Sequence, residues 1–261
     1  MIRRPLVTVC LALVAAGLVA GCARQDSREL VVARKLVTEN RNEAMALPGQ
    51  DIPAAVDTVT LWIGPAMARR DTPDGTFLID AAQGRLTFVN ERTRTWTTLT
   101  TAQAAQQLMA LAADTSAASL GGDPDERLRH LLKVSARVTD TGEEAVIDGY
   151  RCRRWIVEQL LGEQFTMTEL WLTREIDVDF GLLHQATRPA LGALPGGAAA
   201  LAELSRLDGV PVRATGALRL LNREGRLESR LLSVETVTVP RSFFQPPAGY
   251  RQGEPVDAPR K

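Results

Sequence analysis

Val134-Ser135-Ala136-Arg137-Val138-Thr139, followed by Ala145-Val146-Ile147-Asp148-Gly149-Tyr150-Arg151-Cys152-Arg153-Arg154-Trp155, carries the plainest statement of architecture in the chain. Val134, Ala136 and Val138 alternate with polar residues, the period of two that sends one set of side chains to one sheet face. Asp148-Gly149 is a hairpin dipeptide, because both residues tolerate the left-handed backbone that a tight two-residue turn demands. Residues 150–160 and 166–173 continue as strands across a turn at Gly162. This is an antiparallel meander.

The same grammar extends outward in both directions. Upstream, Asp57-Thr58-Val59-Thr60-Leu61-Trp62-Ile63 alternates, Asp74-Gly75 marks a hairpin, and Gln83-Gly84 turns the chain between 77–79 and 86–90, with 93–99 following. Downstream, Val212, Ala214, Gly216, Leu218 and Leu220 share one parity, and residues 227–239 pair back across Glu224-Gly225. Two helical stretches interrupt the strands. Thr100-Thr101-Ala102-Gln103 has the spacing of a capping box ahead of Ala104, Ala105, Leu108, Leu111 and Ala112, which recur at helical period. Residues 178–208 read as a helical insert, with Pro189 bending a first helix and Leu201, Leu204 and Leu207 marking a second. The expected class is α+β.

At 261 residues, with 45% hydrophobic and 24% charged residues, the chain can bury a sizeable core. Those values exclude a disordered chain, a collagen and a polytopic membrane protein. Basic and acidic residues balance at 31 each, so no polyanion is called for and no nucleic-acid partner is expected.

The N-terminus reads as an address. Arg3 and Arg4 precede an apolar stretch, residues 6–20, that is too short to span a bilayer of about 30 Å. It ends in Leu18-Val19-Ala20-Gly21-Cys22, which resembles the lipobox of bacterial lipoproteins. Small residues let an extended backbone enter a signal peptidase, and the Cys22 thiol is the nucleophile that takes the lipid, fatty acyl groups such as palmitate completing the anchor. Cleavage removes residues 1–21 with Arg3 and Arg4, moving the formal charge from 0 to −2. It also removes Cys10, leaving Cys22 and Cys152, so no intramolecular disulfide is expected. Ala23 lacks the acidic side chain that favours inner-membrane retention. The expected place is the cell envelope, on the outer membrane facing the periplasm if the source is Gram-negative. Residues 22–55 read as the lipidated N-terminus and tether with an early strand at 30–38, 56–244 as the folded domain, and 245–261, rich in proline, as a flexible tail.

Four stretches in this order resemble the DUF4412 family of uncharacterised proteins: residues 147–155 quoted above, Glu169-Leu170-Trp171-Leu172-Thr173, Gly209-Val210-Pro211-Val212, and Phe243-Phe244-Gln245-Pro246-Pro247-Ala248-Gly249-Tyr250. That family is similar to the lipoprotein-carrier (LolA/LolB-like) superfamily. The resemblance implies a strongly curved antiparallel sheet, an unclosed barrel, with helices packed on its concave face and an apolar cavity between.

Catalytic and cofactor signatures are missing downstream of Cys22: no G-x-S-x-G, H-E-x-x-H, C-x-x-C, Walker loop or G-x-G-x-x-G occurs. His130 and His184 have no ligand partners at useful spacing, so neither an enzyme nor a cofactor nor a metal is expected. Asp177-Val178-Asp179 suits a helix start and Gly196-Gly197 a turn. Cys152 reads as a small buried side chain. Trp62, Trp155 and Trp171 all fall on strands and are the candidates to line a cavity. Two functions follow: a non-enzymatic lipoprotein that buries a lipid or other apolar ligand between sheet and helices, or an envelope structural or interaction module whose half-barrel is plugged and which holds no ligand.

Overall fold

A computed structural model describes residues 29–47, 50–100, 132–162, 164–179, 194–220 and 223–253, with positions 102, 103, 106, 182, 188, 191 and 192 beside them. The expected signal segment 1–21, the lipidation candidate Cys22, all but position 106 of the helix expected at 104–114, most of the first helix of the insert and the last eight residues lie outside the described residues.

Fourteen strands are described: β1 Leu30–Asn42, β2 Met45–Leu47, β3 Gln50–Ile52, β4 Ala55–Gly64, β5 Met67–Thr72, β6 Gly75–Asp80, β7 Arg85–Asn90, β8 Thr95–Thr100, β9 Val134–Ile147, β10 Tyr150–Leu161, β11 Gln164–Thr173, β12 Val210–Leu220, β13 Arg223–Pro240 and β14 Arg251–Gln252. Twelve form one unclosed sheet in the order β14-β8-β7-β6-β5-β4-β1-β13-β12-β11-β10-β9, and β2 and β3 make a separate ribbon. Every ladder of the large sheet is antiparallel except the short parallel contact of β14 with β8.

This corrects the α+β expectation of a sheet with helices packed on its concave face. Among the described residues the one continuous α-helix is α1, Gly197–Leu204, joined by a 3-10 turn at Arg241–Phe244, and the protein is mostly β. The cause is visible in strand lengths. β9 runs unbroken for 14 residues where alternation suggested two pieces, and β13 runs for 18. The Leu201, Leu204, Leu207 period sustains only eight residues of helix. The capping box does form: the Gln103 amide donates to the Thr100 hydroxyl at 3.1 Å, and the Thr100 amide to Gln103 Oε1 at 2.8 Å.

The early strand expected at 30–38 is β1, and it sits in the middle of the sheet. It pairs with β13 along its whole length and with β4 from Arg34 to Asn42. Two meanders, β4–β8 and β9–β13, are therefore joined through β1, the first described strand. Residues 245–253, read from sequence as the start of a tail, are seated: the Tyr250 hydroxyl donates to Glu91, Arg94 lies over the Tyr250 ring, and β14 covers part of the β8 edge.

Glu224-Gly225 is not the β12–β13 turn, because Leu220 already pairs with Arg223. Gly225 is instead buried inside β13. An added Cβ there would fall 2.5 Å from the Met45 methyl, so glycine makes room for the β2–β3 ribbon to lie against the strand. At the entry to β12, Gly209 has φ 119, and a Cβ would meet the Thr173 carbonyl oxygen at 2.6 Å. Only glycine fits that close approach, which lets β12 start directly beside the end of β11.

Candidate functional site

The three tryptophans do not converge. Trp62 packs edge-on to Phe243 with ring centroids 5.1 Å apart, beside a cluster of Val31, Ala33, Met67 and Phe244. Arg69 lies 4.3 Å over the Phe243 ring and donates to the Phe243 carbonyl at 3.1 Å, so this group is a seat for the 3-10 turn. Trp155 is 8% exposed within a cluster of Val138, Val157 and Leu172 that Leu204 and Leu207 pack against. Trp171 is half-buried, and its indole N–H donates to Glu169 Oε1 at 2.9 Å.

Strand pairing explains the separation. Trp155 pairs with Leu170, and the neighbouring pair is Arg154 with Trp171. Side chains alternate along a strand, so Trp155 and Trp171 stand on opposite sides of the sheet. No single cavity can be lined by both.

Five apolar clusters make up the described core, and residues from the segments after β11 and β13 pack into each of them. Ile176 and Val178 pack with Leu36, Val212 and Leu231, and Leu182 and Val178 with Ile63 and Ala68. Leu194 and Ala200 pack with Leu132 and Val134, and Leu204 and Leu207 against the Trp155 cluster. Phe243 and Phe244 complete the fifth, with Val31 and Met67. Residues 176–207 therefore enter four of the five.

The opposite side of the ladder from Trp155 carries Trp171, packed against the cluster of Cys152, Val210 and Val212, and beside it a run of charged residues. The pairings place Arg154, Trp171, Arg213, Arg230 and Glu39 in one row across five strands, and Ile156, Glu169, Thr215, Glu228 and Arg41 in the next. Three depressions follow these rows. One of about 480 Å³ lies between Arg154, Met167, Glu169, Gly216 and Arg226. It shares Thr215 and Glu228 with a second of about 360 Å³ around Glu39, Arg213 and Arg230, and Arg226 and Glu228 with a third of about 330 Å³ near Val56. Together they form a groove of mixed charge with a floor of small side chains. The arrangement is not legible in the sequence, because it exists only once five strands are in register.

Several groups in the groove are locked. Arg154 donates to Glu143 at 2.7 Å and to Glu169 at 2.5 Å, while its Nε is buried without a partner. Arg230 holds Asp148 by two bonds of 3.0 and 2.7 Å, pinning the tip of the β9–β10 hairpin to β13. The Arg230 guanidinium keeps the Asp148 carboxyl below its usual range. Arg213 lines the groove beside them and adds to the field that lowers the Asp148 carboxyl, while Arg226 lines its other end.

At the far edge of the sheet, Glu203 accepts the Val138 amide at 3.0 Å, and Arg206 donates to the Val138 carbonyl at 2.9 Å. The Val138 amide holds the Glu203 carboxyl below its ordinary value, with Arg206 adding to the effect. The two side chains thus satisfy both outward-facing backbone groups of one residue on the edge strand β9. Cys152 is 3% exposed, and burial raises its thiol pKa, so it is a packing residue and a poor nucleophile. No grouping of three or more His, Cys, Asp or Glu suited to a metal ion occurs among the described residues.

Residues 67–250 match the family described as Domain of unknown function (DUF4412). No curated protein matches the chain.

Proposed function

The chain belongs to the DUF4412 family, and from that premise we propose that it is a lipid-anchored, non-enzymatic envelope module that engages a polar partner through the mixed-charge side of its sheet. The observation supporting this reading is that Val178, Leu182, Leu194, Leu204, Leu207, Phe243 and Phe244 pack into the described apolar clusters. A carrier of acyl chains needs apolar surface left open for them, at roughly 0.8 kcal/mol per CH₂ buried. Val178, Leu182, Leu204 and Leu207 pack over part of that surface among the described residues, while the depressions elsewhere on the sheet carry arginine and glutamate in near balance. A balanced groove favours a partner presenting both signs, such as a protein surface, over a polyanion.

The anchor belongs to the same proposal. Cys22 in the Leu18–Cys22 motif would hold the protein on the envelope membrane, facing the periplasm if that membrane is an outer one. Kinship with the lipoprotein-carrier superfamily is also proposed; an unclosed antiparallel sheet is compatible with it.

The test is titration of the purified protein with a fluorescent fatty-acid analogue, alongside in-cell photocrosslinking from position 213. The proposal expects no saturable uptake of the analogue and discrete crosslinked species from Arg213. Saturable, stoichiometric uptake would instead establish the apolar-ligand reading.

A further inference from the structure

The first four residues of β1 overhang the rest of the sheet. The β1–β4 ladder ends at Arg34 and Ile63, so Leu30, Val31, Val32 and Ala33 pair only with Pro240, Val239, Thr238 and Val237 of β13. One side of this two-stranded overhang is closed: Val31 and Ala33 are buried against Met67 and Phe244. The other side is exposed among the described residues. Leu30 is 66% exposed and Val32 60%, with the exposed Thr238 and Pro240 opposite them.

Two adjacent large apolar side chains held on a rigid ribbon, with a threonine hydroxyl beside them, suit the boundary between lipid headgroups and acyl chains. The position of the anchor says which surface they meet. Seven residues separate Cys22 from Leu30, a stretch that spans at most roughly 28 Å when fully extended. An acylated Cys22 therefore keeps this end of the sheet close to the bilayer whatever path the tether takes.

We infer that the β1–β13 overhang is a membrane-docking edge, with Leu30 and Val32 seated in the phospholipid surface that holds the anchor. The inference rests on the anchor proposed above. Docking would fix the long axis of β1 relative to the membrane and turn the distant groove towards the aqueous side. Asp148, bonded to Arg230, marks that far region: Arg230 is ten positions from Pro240 along β13, roughly 33 Å at strand rise.

The test uses the full chain on phosphatidylethanolamine–phosphatidylglycerol vesicles containing nitroxide-labelled lipid. An environment-sensitive dye is placed at Val32→Cys, at Thr238→Cys, which leaves Val32 intact, and at Val146→Cys, an exposed control near the Asp148 turn. Dyes at 32 and 238 should shift to the blue and be quenched severalfold more than the dye at 146. Equal quenching at all three positions, or none at 32 and 238 in protein that floats with the vesicles, overturns the docking edge. Flotation that does not depend on Cys22 separately overturns the anchor. Repeating the labels on chains that carry a hexahistidine in place of residues 1–22, held by nickel-chelating lipid, decides the docking edge even then. Selective quenching supports it, and uniform quenching refutes it.

Discussion

Replacing Trp155 with alanine tests whether residues 194–207 close the sheet as described. Trp155 is 8% exposed, so nearly all of its ring surface, about 200 Å² for a buried tryptophan, is removed from water. At about 25 cal/mol per Å² that burial is worth about 5 kcal/mol, of which alanine retains roughly a quarter. The expected loss is about 3–5 kcal/mol, in line with large-to-small changes at aromatic core sites. For a domain of this size it lowers Tm by roughly 6–20 °C. Urea denaturation followed by circular dichroism measures it. Leu204→Ala, which thins the layer packed against the same cluster, should couple to Trp155→Ala by about 0.5–3 kcal/mol in a double-mutant cycle. Trp171→Ala should cost clearly less, since that ring is half-buried and Glu169 keeps its bond to Arg154. A Trp155→Ala loss below about 1 kcal/mol, or strict additivity with Leu204→Ala, would refute the closure.

Gly209→Ala should destabilise by about 1–3 kcal/mol or more in the same assay, because it combines a positive φ with a 2.6 Å approach to the Thr173 carbonyl; an unchanged midpoint would be inconsistent with the observed entry to β12. Arg230→Gln should lower stability at neutral pH and lose that effect in acid. The Asp148 carboxyl is held below its unfolded value, so its contribution is present above that value and disappears as pH falls through the folded one. The gap between wild type and variant should therefore close below about pH 4, and a pH-independent gap would assign the pair no electrostatic role. Cys22→Ser should leave an uncleaved, unacylated precursor on a gel, whereas unchanged mobility and unchanged acyl labelling would remove the anchor from the account.

Local signals were legible where the cause is local. The Thr100–Gln103 box and the turn at Asp148-Gly149 depend on residues a few positions apart, and both form where the sequence puts them. Alternation also showed that a strand begins near Leu30. It could not show that this strand is central, since its partners on β13 lie some 200 positions away, as in the Lys35–Glu235 pair. Gly225 misled for a related reason: a glycine that admits Met45 has the same letter as one that turns the chain. The tryptophans show the limit most clearly. Each was correctly read as a strand residue, but which share a side depends on register between strands, and register puts Trp155 and Trp171 back to back.

Native mass spectrometry of the wild-type protein, extracted gently from its own membrane, bears on the central claim most directly. With the described apolar clusters filled by the chain's own side chains, the mass should equal that of the polypeptide plus its covalent acyl groups, with no further lipid retained across several mild detergents. A bound, non-covalent lipid that persists in those detergents and is reduced by Trp155→Ala would contradict the account and make the protein a carrier.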